Sequence, residues 1–112
     1  MAEENYRCKI FEVCENYNCS RDTGDYDYKS LRVDEGWFSK KFFVDGYLVN
    51  NESSAVKWET EFKETRIVAR QSYFPYDGGQ EYFFDRVSQT FKWSIFTPPT
   101  QTSWKYLCER TN

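Results

Sequence analysis

From Tyr82 to Cys108 the chain sets a ring, an isoleucine or a sulfur at alternate positions of three successive segments. The pattern reads Tyr82 and Phe84, then Phe91, Trp93 and Ile95, then Trp104, Tyr106 and Cys108. A period of two belongs to half-buried β-strands, whose successive side chains leave on opposite faces. Ten Phe, nine Tyr and four Trp supply core volume where aliphatic residues are few. Tyr and Trp also bring polar edges that need partners once buried. The 112 residues suit one domain, 1–112, able to bury about two-thirds of the surface its unfolded chain exposes. The expected fold is an all-β antiparallel meander of about seven or eight strands, forming a small barrel or a strongly bent sheet.

Two turns set registers. Asp45-Gly46 lies between Phe42-Phe43-Val44 and Tyr47-Leu48-Val49, and Asp-Gly accepts the positive φ angles of a type I′ hairpin. That loop puts Val44 opposite Tyr47, Phe43 opposite Leu48 and Phe42 opposite Val49. Both faces near its tip are apolar, so it is expected to be covered on both sides rather than to present one face to a ligand. A two-residue turn at Ser88-Gln89 would place Arg86 opposite Phe91, Asp85 opposite Lys92 and Phe84 opposite Trp93. The rings then share one face, and Asp85 pairs with Lys92 on the other.

Elsewhere the signals are mixed. Tyr6, Ile10, Val13 and Tyr17 recur at helical spacing, but a short β-branched and aromatic run favours a strand. Glu15 to Lys29 reads as a loop, as does Asn50 to Ser54. Val56, Trp58 and Phe62 share a face opposite Lys57, Glu59 and Glu61. Another strand is expected over Thr65 to Phe74, with turns at Pro75–Gly79 and Thr97–Thr100.

Cys8, Cys14, Cys19 and Cys108 form an even set without the paired Cys-x-x-Cys spacing of a zinc site. Two disulfides are expected, in an oxidising compartment, with connectivity left open. Met1-Ala2-Glu3-Glu4 lacks the basic start and apolar core of a signal peptide. It suits a cytosolic start or a methionine set where a leader was removed. No apolar run approaches the ~18 residues needed to span a bilayer, so no membrane insertion is expected.

Ile67, then Gly79-Gln80-Glu81-Tyr82-Phe83-Phe84-Asp85-Arg86-Val87-Ser88, an aromatic strand and a late cysteine form a pattern over residues 65–108. It resembles small secreted or periplasmic bacterial β-sheet proteins, most without an assigned activity. In those proteins an apolar residue, a variable residue and Arg precede a Thr-Gly turn; Ser88-Gln89 stands in that place here. The resemblance implies an envelope location and a β meander, and carries over no catalytic residue.

The chain has no histidine, which removes the commonest general base and metal ligand. Asp22, Asp25 and Asp27 depart from the spacing of a calcium loop and read as a solvated turn. Ser54-Ala55-Val56-Lys57 spells Ser-x-x-Lys without the helix and further motifs that acyl-enzyme chemistry needs. Glu59 and Glu61, facing water, make a poor acid and base pair. Asn18-Cys19-Ser20 and Asn51-Glu52-Ser53 spell glycosylation acceptors of little weight.

The expectation is therefore a non-enzymatic binding protein, periplasmic or secreted (cytoplasmic as the alternative), with no cofactor and no metal site. Its partner is another protein, as for an inhibitor or immunity protein. Contact candidates are Tyr26, Tyr28, Tyr73, Tyr76 and Phe83, because rigid amphipathic rings dominate contact energy. One alternative is a small apolar-ligand carrier with a pocket among Trp58, Trp93 and Trp104. Another is a single-strand nucleic-acid binder using Arg66, Arg70, Lys92 and Lys105 with Tyr73, Tyr76 and Phe83. The net charge of −3 disfavours the latter.

Overall fold

The computed structural model describes residues 2–22, 27–49 and 58–112. These carry ten strands and no helix. They are β1 (Ala2–Glu15), β2 (Asn18–Arg21), β3 (Tyr28–Glu35), β4 (Lys40–Val44) and β5 (Tyr47–Leu48), then β6 (Glu59–Phe62), β7 (Arg66–Ser72), β8 (Gly79–Asp85), β9 (Thr90–Thr97) and β10 (Thr100–Arg110). All pairings are antiparallel. The order β5-β4-β3-β1-β10-β9-β8-β7-β6 makes one curled half-barrel, with β2 beside β1. A meander thus runs outward on each side of the amino-terminal strand.

β1 explains the mixed signal at its own sequence. Tyr6, Cys8 and Ile10 are buried in the concave interior. The register against β10 then shifts between Ile10 and Glu12, leaving Phe11 as an extra residue. This bulge moves the inward set from even to odd positions, so Val13 packs against the core cluster. An interrupted period of two therefore mimics helical spacing. The loop expected over Glu15–Lys29 contains β2, which pairs with β1 through Glu12↔Arg21 to Glu15↔Asn18. Farther down β1, β3 takes up the pairing from Lys9↔Tyr28 onward. β2 and β3 are thus one interrupted strand, and β2 with the two-residue β5 raises the strand count above expectation.

The Asp45-Gly46 hairpin has its expected register, with φ of 51° and 84° at the turn. Its coverage differs. Phe42, Val44 and Val49 are buried, but Tyr47 is exposed and Phe43 and Leu48 are half-buried. The Arg32 guanidinium lies 3.9 Å from the Phe43 ring centre. The face of Phe42, Val44 and Val49 is therefore core, with Tyr47 reaching water at its tip, and the face of Phe43 and Leu48 is only screened.

The β8–β9 register corrects the expected one by two residues. Asp85 faces Thr90, Phe84 faces Phe91 and Tyr82 faces Trp93. The turn spans Arg86–Gln89, with Gln89 at φ 55°. Asp85 does not pair with Lys92. Its Oδ1 accepts hydrogen bonds from the backbone N–H groups of Val87 and Ser88, at 2.9 and 3.1 Å. Those bonds, Ser88 first, hold the carboxyl below the usual Asp range. A shift of two keeps every ring on its face, so the core is the expected one.

Inside, Phe84 lies 4.8 Å from the Tyr6 ring and 6.3 Å from the Phe42 ring. β8 therefore touches β1 and β4 across the hollow of the sheet. Phe42, Phe84, Phe91 and Tyr106 are fully buried, each side chain contributing about 2–3 kcal/mol by leaving water. Where the two ends of the sheet approach, the Thr60 hydroxyl donates to the Val49 carbonyl at 2.9 Å. The opposite opening carries an ion cluster: Arg86 reaches Glu4 at 2.7 Å and Glu35 at 2.5 Å, and Arg110 reaches Glu4 at 3.5 Å. Two disulfides close directly opposed residues, Cys8–Cys108 and Cys14–Cys19. No helix among the described residues is long and apolar enough to cross a membrane.

Candidate functional site

The interior leaves its tryptophans little freedom. Trp58 stacks on Tyr82 at 4.7 Å and Trp93 on Trp104 at 4.6 Å. The Trp93 indole N–H donates to Gln80 Oε1 at 2.9 Å, and the Gln80 amide donates to Gln71 Oε1 at 2.5 Å. Lys29 sits 5.1 Å from the Trp93 ring centre and 3.4 Å from Asp45. The Tyr106 hydroxyl donates to the Asp27 carboxylate at 3.2 Å. Burial, the Asp27 charge and that bond all push the Tyr106 phenol far above its ordinary range. Burial likewise raises Tyr6 and Tyr82. Rings and paired polar groups thus occupy the space that the carrier reading assigned to a ligand.

A large concavity lies instead on the outer face, across β7, β8 and β9. It has a volume of about 1120 Å³ and is lined by Arg70, Glu81, Lys92 and Ser94 on the sheet, with Tyr73, Phe74, Tyr76 and Phe96 above. The turn after β7 raises one wall. Tyr73 N–H donates to Gly78 O at 3.1 Å, Tyr76 N–H to Tyr73 O at 2.9 Å and Phe74 N–H to Ser72 Oγ at 3.2 Å. Gly78 has φ 101°, and a Cβ there would collide with the Phe96 carbonyl oxygen. Gly79 likewise has no room for one beside the Gln71 carbonyl. These two glycines bring the aromatic turn against β9 and form the groove.

Among the described residues, the rings of this wall have no stacked or edge-on ring partner. Phe74 is 87% and Tyr76 79% exposed, Tyr73 is half-buried and Phe96 is 46% exposed. On the floor Arg70 donates to Glu81 at 2.8 Å, which raises the Arg70 pKa further. Lys105 is taken by Glu12 at 2.9 Å. Lys92 has no ion-pair partner among the described residues and points its charge into the groove region.

The expected contact residues divide. Tyr73 and Tyr76 both line the groove, and half-buried Tyr73 is also near enough to interior Tyr82 to add to burial in raising that phenol. Phe83 lies on the same outer face between Val68 and Lys92, half-buried. Tyr28 lies beyond β1 and β10, 36% exposed, beneath the Arg7 guanidinium at 4.2 Å. Tyr26, Asp25, Ser54, Lys57 and the Asn51-Glu52-Ser53 triplet lie outside the described residues. Sequence reasoning missed Phe74 and Phe96. Phe96 was reachable by parity, because inward Trp93 and Ile95 turn it outward. It also missed Trp37 and Phe38, 87% and 103% exposed at the β3–β4 turn. Arg66, Arg70, Lys92 and Lys105 do share the outer face, but Arg70 and Lys105 are neutralised by carboxylates. No protein-family model, curated protein or solved structure matches this chain.

Proposed function

We propose that this chain is a non-catalytic binding domain of an oxidising compartment, periplasmic or secreted, which holds another protein in the outer-face groove. The observation that carries the reading is the pair Phe74 and Tyr76, exposed on the wall of a concavity whose floor is polar. Tyr73, Phe74 and Tyr76 beside Ser72, Ser94, Gly78 and Gly79 have the composition of a protein-binding loop surface. Large rigid rings supply contact area at little entropy cost, and small polar groups adapt their hydrogen bonds. The two disulfides support the compartment, since such bonds persist where thiols are not kept reduced.

The readings that compete rest on features engaged elsewhere. A carrier needs interior space, where Trp58, Tyr82, Trp93 and Trp104 pack as stacked pairs. A nucleic-acid track needs free cations, and Arg70 and Lys105 are in ion pairs. The test is capture from the native host with wild-type chain, the variant Phe74→Ala/Tyr76→Ala and the variant Tyr28→Ala. Removing two central rings is expected to weaken the captured complex by about 30-fold or more, the scale of an interface hot spot. Tyr28→Ala is expected to capture as wild type does. A partner retained equally by all three proteins overturns the assignment of the groove.

A further inference from the structure

The β1–β2 hairpin carries chemistry that the groove does not use. Cys14 and Cys19 face each other across it as a disulfide. Cys14 is 5% exposed, whereas β2 is exposed at all four residues and pairs with β1 alone. Glu12 lies two residues before Cys14 on the same face of β1. Its Oε1 is 3.5 Å from Cys14 Sγ and 2.9 Å from Lys105 Nζ. One oxygen of Glu12 and both sulfurs fall within 4.8 Å of one another. The second disulfide is placed differently: Cys8 is wholly buried, inside the β3-β1-β10 ladder.

We propose that Cys14–Cys19 is a reducible latch whose dithiol form, together with Glu12, binds a thiophilic divalent cation of the zinc type. The opening step needs a dithiol reductant. One of its thiolates attacks Cys19 Sγ on the exposed strand, and the S–S bond breaks with Cys14 leaving as thiolate. The reductant's second thiolate then displaces Cys19 and closes the reductant's own disulfide. Two electrons and two protons pass to the protein. Protonated Cys14 donates to Glu12 Oε1, an acceptor already beside it. Access decides which bond opens: Cys19 is exposed on β2, whereas Cys8 is wholly buried and Cys108 half-buried.

Zinc then displaces two thiol protons to solvent and takes two thiolates and a carboxylate, leaving a fourth position for water. Zn–S bonds of ~2.3 Å at tetrahedral angles hold two sulfurs about 3.8 Å apart. The two sulfurs must therefore part once the bond is opened, which β2, paired with β1 alone, can accommodate. Glu12 keeps its place and exchanges Lys105 for the metal. This inference is independent of the groove and of its partner.

The test uses the full chain and graded dithiothreitol, with alkylation mapped by mass spectrometry. Cys14 and Cys19 are expected to label at a dose that leaves Cys8–Cys108 closed. After removal of the reductant, zinc is titrated against a chromophoric chelator, and cobalt(II) is added separately to read sulfur-to-metal charge transfer. One zinc per chain is expected only after reduction. Glu12→Gln, which leaves both cysteines in place, is expected to weaken zinc about tenfold or more, as loss of a ligand should. Cys14→Ser/Cys19→Ser should abolish binding with Cys8–Cys108 intact. Opening of both disulfides at one dose overturns the latch. Absence of zinc binding by the reduced chain, or equal affinity in Glu12→Gln, overturns the site.

Discussion

Replacing Cys8 and Cys108 together by alanine tests what ties the two ends of the chain. The residues are 100 apart in sequence and directly opposed in the β1–β10 ladder. Closing a loop of that length removes about 4.7 kcal/mol of unfolded-state entropy in the chain-entropy model. Cys14–Cys19, five residues apart, is worth about 2 kcal/mol on the same scale. For a domain of this size 1 kcal/mol moves Tm by about 4 °C, so the long bridge is worth roughly 15–20 °C. The double variant avoids a free thiol that would exchange with the remaining pair. Urea denaturation gives both the free energy and the m-value. The expected result is a loss of about 4–5 kcal/mol with a larger m, because an unbridged denatured chain expands. A loss below about 1 kcal/mol, with Cys14–Cys19 intact and m unchanged, refutes the reasoning. It would mean that the β1–β10 ladder holds the ends together without help from the unfolded state.

Three further outcomes follow from individual ionisable side chains. Arg86→Met strands the Glu35 carboxylate and leaves Glu4 only the longer contact with Arg110, the two carboxylates being 29% and 16% exposed. A loss of about 2 kcal/mol is expected, below the fully buried range because water still reaches the cluster; a loss under about 0.5 kcal/mol in urea refutes this. Tyr6, Tyr82 and Tyr106 hold their protons in the folded state above the ordinary phenol value of 10.0. The unfolded chain releases those protons first, so stability is full below pH ~10 and declines as pH rises above it. Ultraviolet titration is expected to show these phenols ionising only with unfolding, and early ionisation of all nine tyrosines would refute it. Asp85 has the opposite sign: its lowered pKa adds stability that is present above the ordinary Asp value of ~3.9 and lost as pH falls through the folded value. Carboxyl NMR of the wild type should show that midpoint low, and an ordinary midpoint would break the assignment of the β8–β9 turn.

How much of this was legible depends on whether a feature is local. The inward rings of β8, β9 and β10 were, because parity survives a register error of two. The Ser88-Gln89 turn was misplaced since Asp85 prefers two backbone N–H donors in its own turn to a cross-strand lysine. The Phe11 bulge was illegible. A single extra residue leaves no compositional mark, and it laid helical spacing over a segment whose β-branched and aromatic residues still favoured the strand observed. Likewise β2 is polar and wholly exposed, so only its disulfide and its pairing with β1 distinguish it from loop. The groove sat between these cases. Tyr73 and Tyr76 advertise themselves as rings in a turn, but nothing local says that Gly78 folds them onto Phe96.

The two faces of the sheet differ in what they leave for a ligand to gain. Inside, several polar groups near the tryptophans are already engaged: the Trp93 indole to Gln80, Gln80 to Gln71, Tyr106 to Asp27, Lys29 to Asp45. A ligand entering there must break those bonds and unstack rings before it makes contacts of its own, and buried polar groups left unpaired cost about 1–3 kcal/mol each. Outside, Phe74 and Tyr76 already stand in water and Lys92 has no ion-pair partner among the described residues. A partner covering them removes apolar surface from water at about 25 cal/mol per Å² without first undoing a protein contact. The same rings that make the interior a good core therefore make it a poor pocket, which favours the proposed use of the few that the fold leaves outside.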